Sequence, residues 1–305
     1  MVEENKKRYF FEEVVACEMC GDDSFKHKIK GFRLNKSIGL SPKKRDGIAV
    51  AVKKCSNCAL LYSSPQPIPF DIQDHYGIPP ESYWRGEYFK WDREYFKNEI
   101  SKAKKLLDFK DGMKALDIGA GLGKGMLSLS HAGFDAYGFE PSKPFFERAL
   151  SEMKIDSQRL KLGMIEDMEY ENSQFDFITF SAVFEHLYHP AQSLEKALRW
   201  LKPGGVIHIE VPSSKHLIAK FFNFYYRLRG TNFVTNLSPM HEPFHMYEFG
   251  FKSFTELGKK LQFQLVDHTY HVCEIPSMLR PFHFLLRSYM KRTNSGMQLE
   301  VWLKK

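Results

Sequence analysis

The stretch ALDIGAGLGKG at residues 115–125 constrains this chain more than any other. A short apolar run ends at Asp117, glycines follow at 119, 121, 123 and 125, and a helical pattern then begins. A strand that stops at an acid and turns through glycines into a helix is a cradle for a nucleotide-like ligand. Side chains there would hold the ligand off the backbone, and the turn visits positive φ. Spacing excludes two phosphate-binding versions of this turn. The dinucleotide fingerprint needs glycine at its first, third and sixth positions. Counted from Gly119 the sixth position is Lys124, and from Gly121 it is Met126. No Gly-Lys-Ser/Thr closes a Walker loop either. A carboxylate two residues before the first glycine suits a cationic ligand better than a pyrophosphate.

With this motif the chain resembles the class I S-adenosylmethionine (SAM)-dependent methyltransferases, over roughly residues 100–270. SAM carries a sulfonium and an ammonium and no phosphate. The resemblance implies an α/β, Rossmann-like fold of seven strands with helices on both faces. It implies that Asp117, Gly119, Ala120, Gly121 and Gly123 hold the amino-acid end of the cofactor. The strand expected at 135–140 ends in Glu140, placed to accept hydrogen bonds from both ribose hydroxyls, with Pro141 beside it. After a weak strand at 160–162, the family pattern assigns the adenine to Asp167 and Met168, with Glu166 as the competing acid, and adds Ser181 at the end of strand four.

The remaining pattern fills in the fold. Apolar periodicity predicts helices over 99–109, 123–131, 141–154, 193–201 and 251–261. Strands are expected over 114–118, 175–181, 206–211, 263–271 and 298–303, the last inserting antiparallel between strands five and six. Residues 182–190, AVFEHLYHP, match the family segment that lies beside the transferable methyl. Some quinone-biosynthesis relatives bind a metal through Glu-x-x-Glu-His; here Ala182 stands at the first acid, so no metal is expected at this point. His186 is a candidate base, or a histidine that holds the loop. His241 and His245, in HEPFHMYE at 241–248, are further candidate bases of the kind an oxygen or carbon acceptor needs at neutral pH.

A separate module is expected at 9–75. Cys17, Cys20, Cys55 and Cys58 form two CxxC knuckles, the usual spacing for four thiolates around a structural zinc with no open position. The basic, strand-like run between them reads as a zinc ribbon, its PKKR loop at 42–45 a nucleic-acid grip or a solvated face. The continuation CALLYSSPQP at 58–67 resembles a methyltransferase subgroup with a zinc-binding N-terminus that includes sugar methyltransferases of polysaccharide and antibiotic pathways. Members acting on sugar carbons carry a further C-terminal domain, and the length remaining here argues against a carbon acceptor. A proline- and aromatic-rich connector at 76–110 leads to the SAM domain at 111–305; Tyr76, Tyr83 and Trp84 either close over the cofactor or join the two domains.

Two insertions, at 211–249 and 275–297, are basic and aromatic. Residues 211–241 contain no acid, and Lys215, Lys220, Arg227 and Arg229 surround FFNFYY; residues 275–298 also contain none, with Arg280, Arg287, Lys291 and Arg292 around FHFLL. They suit a phosphorylated acceptor such as a nucleotide- or lipid-linked sugar, a peripheral membrane contact, or, as second choice, RNA. The net charge of +7 agrees with an anionic partner. No apolar run approaches the ~18 residues of a membrane span, and the first residues are no secretory signal. The expected protein is therefore a cytoplasmic methyltransferase of a small-molecule acceptor, with RNA methylation or a non-catalytic SAM-fold adaptor as alternatives. Cys273 reads as packing.

Overall fold

The computed structural model describes residues 9–34, 48–77, 89–273 and 280–305, with side chains from 283 onward in the last segment. Tyr83, Trp84 and the loop at 42–45 lie outside the described residues, as do the side chains of Arg280 and Phe282.

Seven strands form the main sheet: β6 (Lys114–Ile118), β7 (Asp135–Glu140), β8 (Leu160–Leu162), β9 (Phe175–Ser181), β10 (Leu201–Pro212), β12 (Gln264–His271) and β13 (Gln298–Lys304). Their order is β12-β13-β10-β9-β6-β7-β8. β8, β7, β6, β9 and β10 run parallel, and β13 pairs antiparallel with both β10 and β12. This is the insertion expected for the last strand. β9 alternates little because both its faces are covered: Phe177, Ile178, Thr179 and Phe180 are all fully buried.

Helices α2 (Lys97–Leu107), α3 (Lys124–His131), α4 (Lys143–Ser151), α5 (Pro190–Trp200) and α7 (Phe251–Leu261) cover the sheet. α5 starts three residues earlier than periodicity suggests, because Pro190 occupies its first turn, where a missing N–H costs nothing. Strand five likewise begins early. Leu201 pairs with Phe175, and the register shifts between Leu201 and Val206, so the Lys-Pro-Gly-Gly segment belongs to β10 as an irregularity. Within the insertions lie α6 (Leu217–Leu228) and α8 (Arg280–Arg292).

The N-terminal module holds β1 (Tyr9–Glu12), β2 (Lys28–Leu34), β3 (Ala49–Lys54), β4 (Leu61–Ser64), β5 (Gln66–Pro69) and the one-turn α1 (Gln73–Tyr76). β2, β3 and β4 form an antiparallel sheet, and β11 (Tyr247–Glu248) adds to β4 as a fourth strand. The ribbon thus shares a sheet with a segment nearly two hundred residues downstream. The hydrophobic core crosses the junction too: Cys17, Met19, Cys58 and Tyr62 cluster with Phe184, Tyr247 and Phe249. A side chain as large as Tyr247, fully buried there, contributes roughly 1.5–3 kcal/mol.

Candidate functional site

One cavity of about 380 Å³ opens at the carboxyl edge of the parallel strands, where ligands bind in open α/β sheets. Its first wall is the glycine loop. β6 ends at Ile118, which lines the cavity with Gly119, Ala120, Gly121 and Leu122, whereas Asp117, buried one residue earlier, is not in the lining. Gly121 has φ of +55°, and an added Cβ there would meet no protein atom within 4 Å, so it would take the space left for a ligand. Gly125 is required for a different reason. A Cβ there would stand 2.5 Å from Asp117 Oδ2, so the carboxylate tucks against the start of α3 only because position 125 is bare.

Glu140, at the end of β7, shapes this wall. Its Oε2 accepts the Gly121 N–H at 2.7 Å and its Oε1 the Ser142 N–H at 2.8 Å. It is 6% exposed, as is Asp117. Burial pushes Asp117 up to about 7, with the nearby Glu140 charge adding to it; burial also pushes Glu140 up to about 7 against its two backbone hydrogen bonds. Two carboxyls short of counter-charge beside a cavity are matched by a cation that enters it. These residues fit SAM, and no Cβ fills the cradle.

The adenine side departs from the sequence expectation. Met164, Ile165 and Glu166 line the cavity, whereas Asp167 and Met168 do not. The turn after β8, closed by the Asp167 N–H on the Met164 carbonyl, carries Met168 into the core, where its Cε lies against Gly163. Of the two acids, Glu166 is the one that lines the cavity. Pro141 and Ser181 also line the cavity; the Ser181 hydroxyl donates to Glu210 at 3.5 Å. Gly123 is absent from the lining and caps α3 with φ of +76°.

The opposite wall is assembled from distant segments: Ala182, Val183, His186 and Tyr188 after β9, Pro243 and Phe244 before β11, and His75 and Tyr76 on α1. His75 stacks on Phe244 at 4.2 Å between ring centres, and Tyr76 meets His186 edge-on at 6.4 Å. Gln73 ties α1 down, donating to the Pro141 carbonyl at 2.9 Å and accepting from the Lys143 N–H at 3.4 Å. No motif pointed to Gln73, His75 or Phe244, because each belongs to a segment that reaches the cavity only through tertiary packing.

Of the three histidines singled out, His186 lines the cavity. Its Nδ1 lies 3.3 Å from the Phe244 carbonyl, which can only accept, so Nδ1 carries the proton and Nε2 keeps its lone pair. Burial lowers it to about 4, so the ring is neutral at pH 7. His245 stands behind it, edge-on at 5.0 Å, with Nε2 3.6 Å from Glu185 Oε1. Glu185 is 1% exposed, its Oε2 has no hydrogen-bond partner, and burial pushes it up to about 8. Glu185, His186 and His245 bring one ligand atom each within 4.8 Å of one another, so they form either a proton-handling group or a divalent-cation triad. His241 faces the other way: it is 9% exposed and its Nε2 takes a hydrogen bond from the buried Arg33 at 3.2 Å.

The four cysteines gather as the spacing implies. Cys17 and Cys58 sulfurs are 3.5 Å apart, as are those of Cys20 and Cys55, and all four lie within 4.8 Å. A disulfide needs ~2.05 Å; these separations suit tetrahedral thiolates around zinc at ~2.3 Å from each sulfur. The cluster adjoins the second wall. The Ser253 hydroxyl on α7 donates to the Cys58 carbonyl at 3.2 Å, and Tyr247 donates to the Tyr188 carbonyl at 2.9 Å.

The model of a methyltransferase domain matches residues 88–268. An uncharacterized 37.1 kDa protein in transposon Tn4556 of Streptomyces fradiae is 31% identical over 103 residues, 32% of this chain and 30% of that one. The tRNA U34 carboxymethyltransferase of Syntrophotalea carbinolica is 29% identical over 149 residues, 47% of this chain and 41% of that one. The chain therefore spans less than half the length of these curated relatives. Among solved structures, a SAM-dependent methyltransferase from Archaeoglobus fulgidus aligns with a TM-score of 0.45 and 16% identity, covering 72% of this chain and 97% of that one. From the match over residues 88–268, joined to the strand order and the glycine cradle above, the chain belongs to the SAM-dependent methyltransferase-domain family.

Proposed function

We propose that this protein transfers the methyl group of SAM to a small-molecule acceptor, a sugar carried on a nucleotide or lipid phosphate. The observation that carries the reading is a single cavity with the glycine loop and Glu140 on one wall and His186 on the other. SAM supplies an already activated methyl, so the protein's work is alignment and proton handling. The glycine loop and Glu140 hold the cofactor side. Tyr76, Tyr188 and Phe244 exclude water and position the acceptor opposite. His186 Nε2 takes the acceptor proton as the oxygen attacks, and Phe244 keeps the ring in the tautomer that allows it. The acid-free insertions, α6 and α8, leave from the carboxyl edge of β10 and beside β13, and favour a phosphorylated acceptor. Zinc in the cysteine cluster is structural in this proposal, fixing the ribbon that backs the second wall.

A tRNA acceptor is the second reading, supported by the named activity of the Syntrophotalea relative. Incubation with methyl-labelled SAM and a cell extract split into small-molecule, lipid and RNA fractions separates the two. Label in the small-molecule or lipid fraction upholds the proposal. Label in RNA replaces it, and no SAM binding at all overturns both.

A further inference from the structure

The surface of α6 is apolar where a helix of this fold faces outward. Phe221, Phe224, Tyr225 and Leu228 are 64%, 61%, 43% and 71% exposed. Their spacing, i, i+3, i+4 and i+7, is the spacing of a buried stripe, yet here it faces outward. The inner face is already used: Ala219 and Tyr226 are buried, and Asn223 is hydrogen-bonded to Asn236. An apolar stripe of this size has no place on the surface of a free monomer.

Cations surround it from both modules. Lys215, Lys220, Arg227 and Arg229 are exposed on or beside α6, and Lys28 and Lys54 are exposed on the neighbouring ribbon strands. The Arg227 guanidinium donates to the Lys30 carbonyl at 3.4 Å, which fixes the helix against β2. Lys220 is lowered by burial and then by Lys54, Lys215 and Lys30; Lys30 is lowered by burial and then by Lys54, Arg227 and Lys28. These like charges repel one another, a cost that an anionic surface offsets. α8 repeats the composition, with Phe284, Leu285 and Tyr289 exposed at 73%, 65% and 56% and Lys291 and Arg292 beside them. The two helices meet where the Leu217 N–H bonds the Ser295 carbonyl at 3.1 Å.

We propose that the outer face of α6, with its ring of basic residues from the ribbon and the insertion, is a peripheral docking surface for an anionic phospholipid bilayer. The stripe enters the acyl boundary while the lysines and arginines stay at the headgroups, as in helices that lie in the interface plane. Among the described residues no helix is long and apolar enough to cross a membrane. A nucleic-acid partner fits less well, because stacking platforms line a groove that tracks the phosphate backbone, and Leu228 and two phenylalanines project from a convex helix. The surface goes beyond the methyl-transfer reading and stands apart from the cavity, although it would bring a lipid-linked acceptor to the mouth.

The test is co-sedimentation of the full zinc-loaded chain with vesicles of neutral phosphatidylcholine, or of phosphatidylcholine mixed with phosphatidylglycerol. Partition at least tenfold stronger into the anionic vesicles is expected. It should fall at least tenfold in Phe221→Ser/Phe224→Ser, and lose its charge preference in Lys220→Gln/Arg227→Gln. SAM binding measured on each variant reports that the fold is intact and keeps the result separate from the methyltransferase reading. Equal partition of the unmodified protein into both vesicles overturns the proposal. So does a self-association that the double serine variant abolishes while vesicle binding is unaffected, or salt-dependent RNA binding with none to vesicles.

Discussion

The two walls of the cavity were built by different means. The cofactor wall comes from consecutive turns after β6, β7 and β8, in which each residue is held by backbone near it in sequence: Glu140 by Ser142 and Gly121, Asp117 by the bare position at Gly125. The opposite wall takes residues from α1, the turn after β9 and the segment before β11, and the contacts that build and back it span 58 to 181 positions. A local wall tolerates change elsewhere in the molecule. A composite one depends on every module that contributes to it, the cysteine-bearing N-terminal module included.

That contrast can be broken in four ways. His186→Gln should lower kcat with the identified acceptor by ~10²–10⁴-fold, the usual worth of a positioned base, with the SAM dissociation constant unchanged by calorimetry. A large loss of SAM affinity instead would mean that the walls are not separable. Glu140→Ala should do the reverse at binding. Losing a carboxylate that accepts two backbone N–H groups and lines the cavity should weaken SAM by ~100-fold, since each charge-assisted hydrogen bond is worth ~1.5–3 kcal/mol.

Cys58→Ser tests the dependence on the ribbon. Zinc measured by mass spectrometry should fall from one per chain to none, and turnover should drop while SAM still binds, because Tyr247, packed with Cys58 and Tyr62, holds the Tyr188 carbonyl, whereas the Gly121 N–H is held by Glu140. Retained turnover would show that the acceptor wall stands without the metal.

The smallest effect concerns pH. Asp117 and Glu140 sit near 7 in the free protein, above their ordinary 3.8 and 4.5. For an acid raised in the fold, stability is fully present below the ordinary value and is lost as pH rises through 7. A cation in the cavity favours the ionised forms and reverses that loss. SAM should therefore raise the melting temperature more at pH 8 than at pH 6, with an affinity gain of roughly tenfold. A flat profile would mean that the two carboxyls are already paired.

The fold was legible because strands and helices declare themselves through local periodicity. β6, β7, β8 and β9 have the bounds their apolar runs imply. Helix ends moved by two or three residues, as for Lys97–Leu107 and Lys143–Ser151, and a special residue accounts for the shifts at Pro190 and the Lys-Pro-Gly-Gly turn. After β8 the sequence offered two adjacent acids, and only the turn there chose between them: it puts Glu166 in the cavity lining and Met168 in the core.

What the sequence determined by itself is the cofactor cradle, the strand order that displays it and the cysteine pairs, because each rests on a short spacing with one low-cost geometry. What only the tertiary structure decided is the acceptor side. It took folding to bring His245 to Glu185 and His186, to turn His241 toward Arg33, and to seat Phe244 on His75. It also left the stripe of α6 outside, although its spacing is that of a core helix. Periodicity records which residues share a face. Which face is covered depends on what else packs there, and that is settled by segments hundreds of positions away.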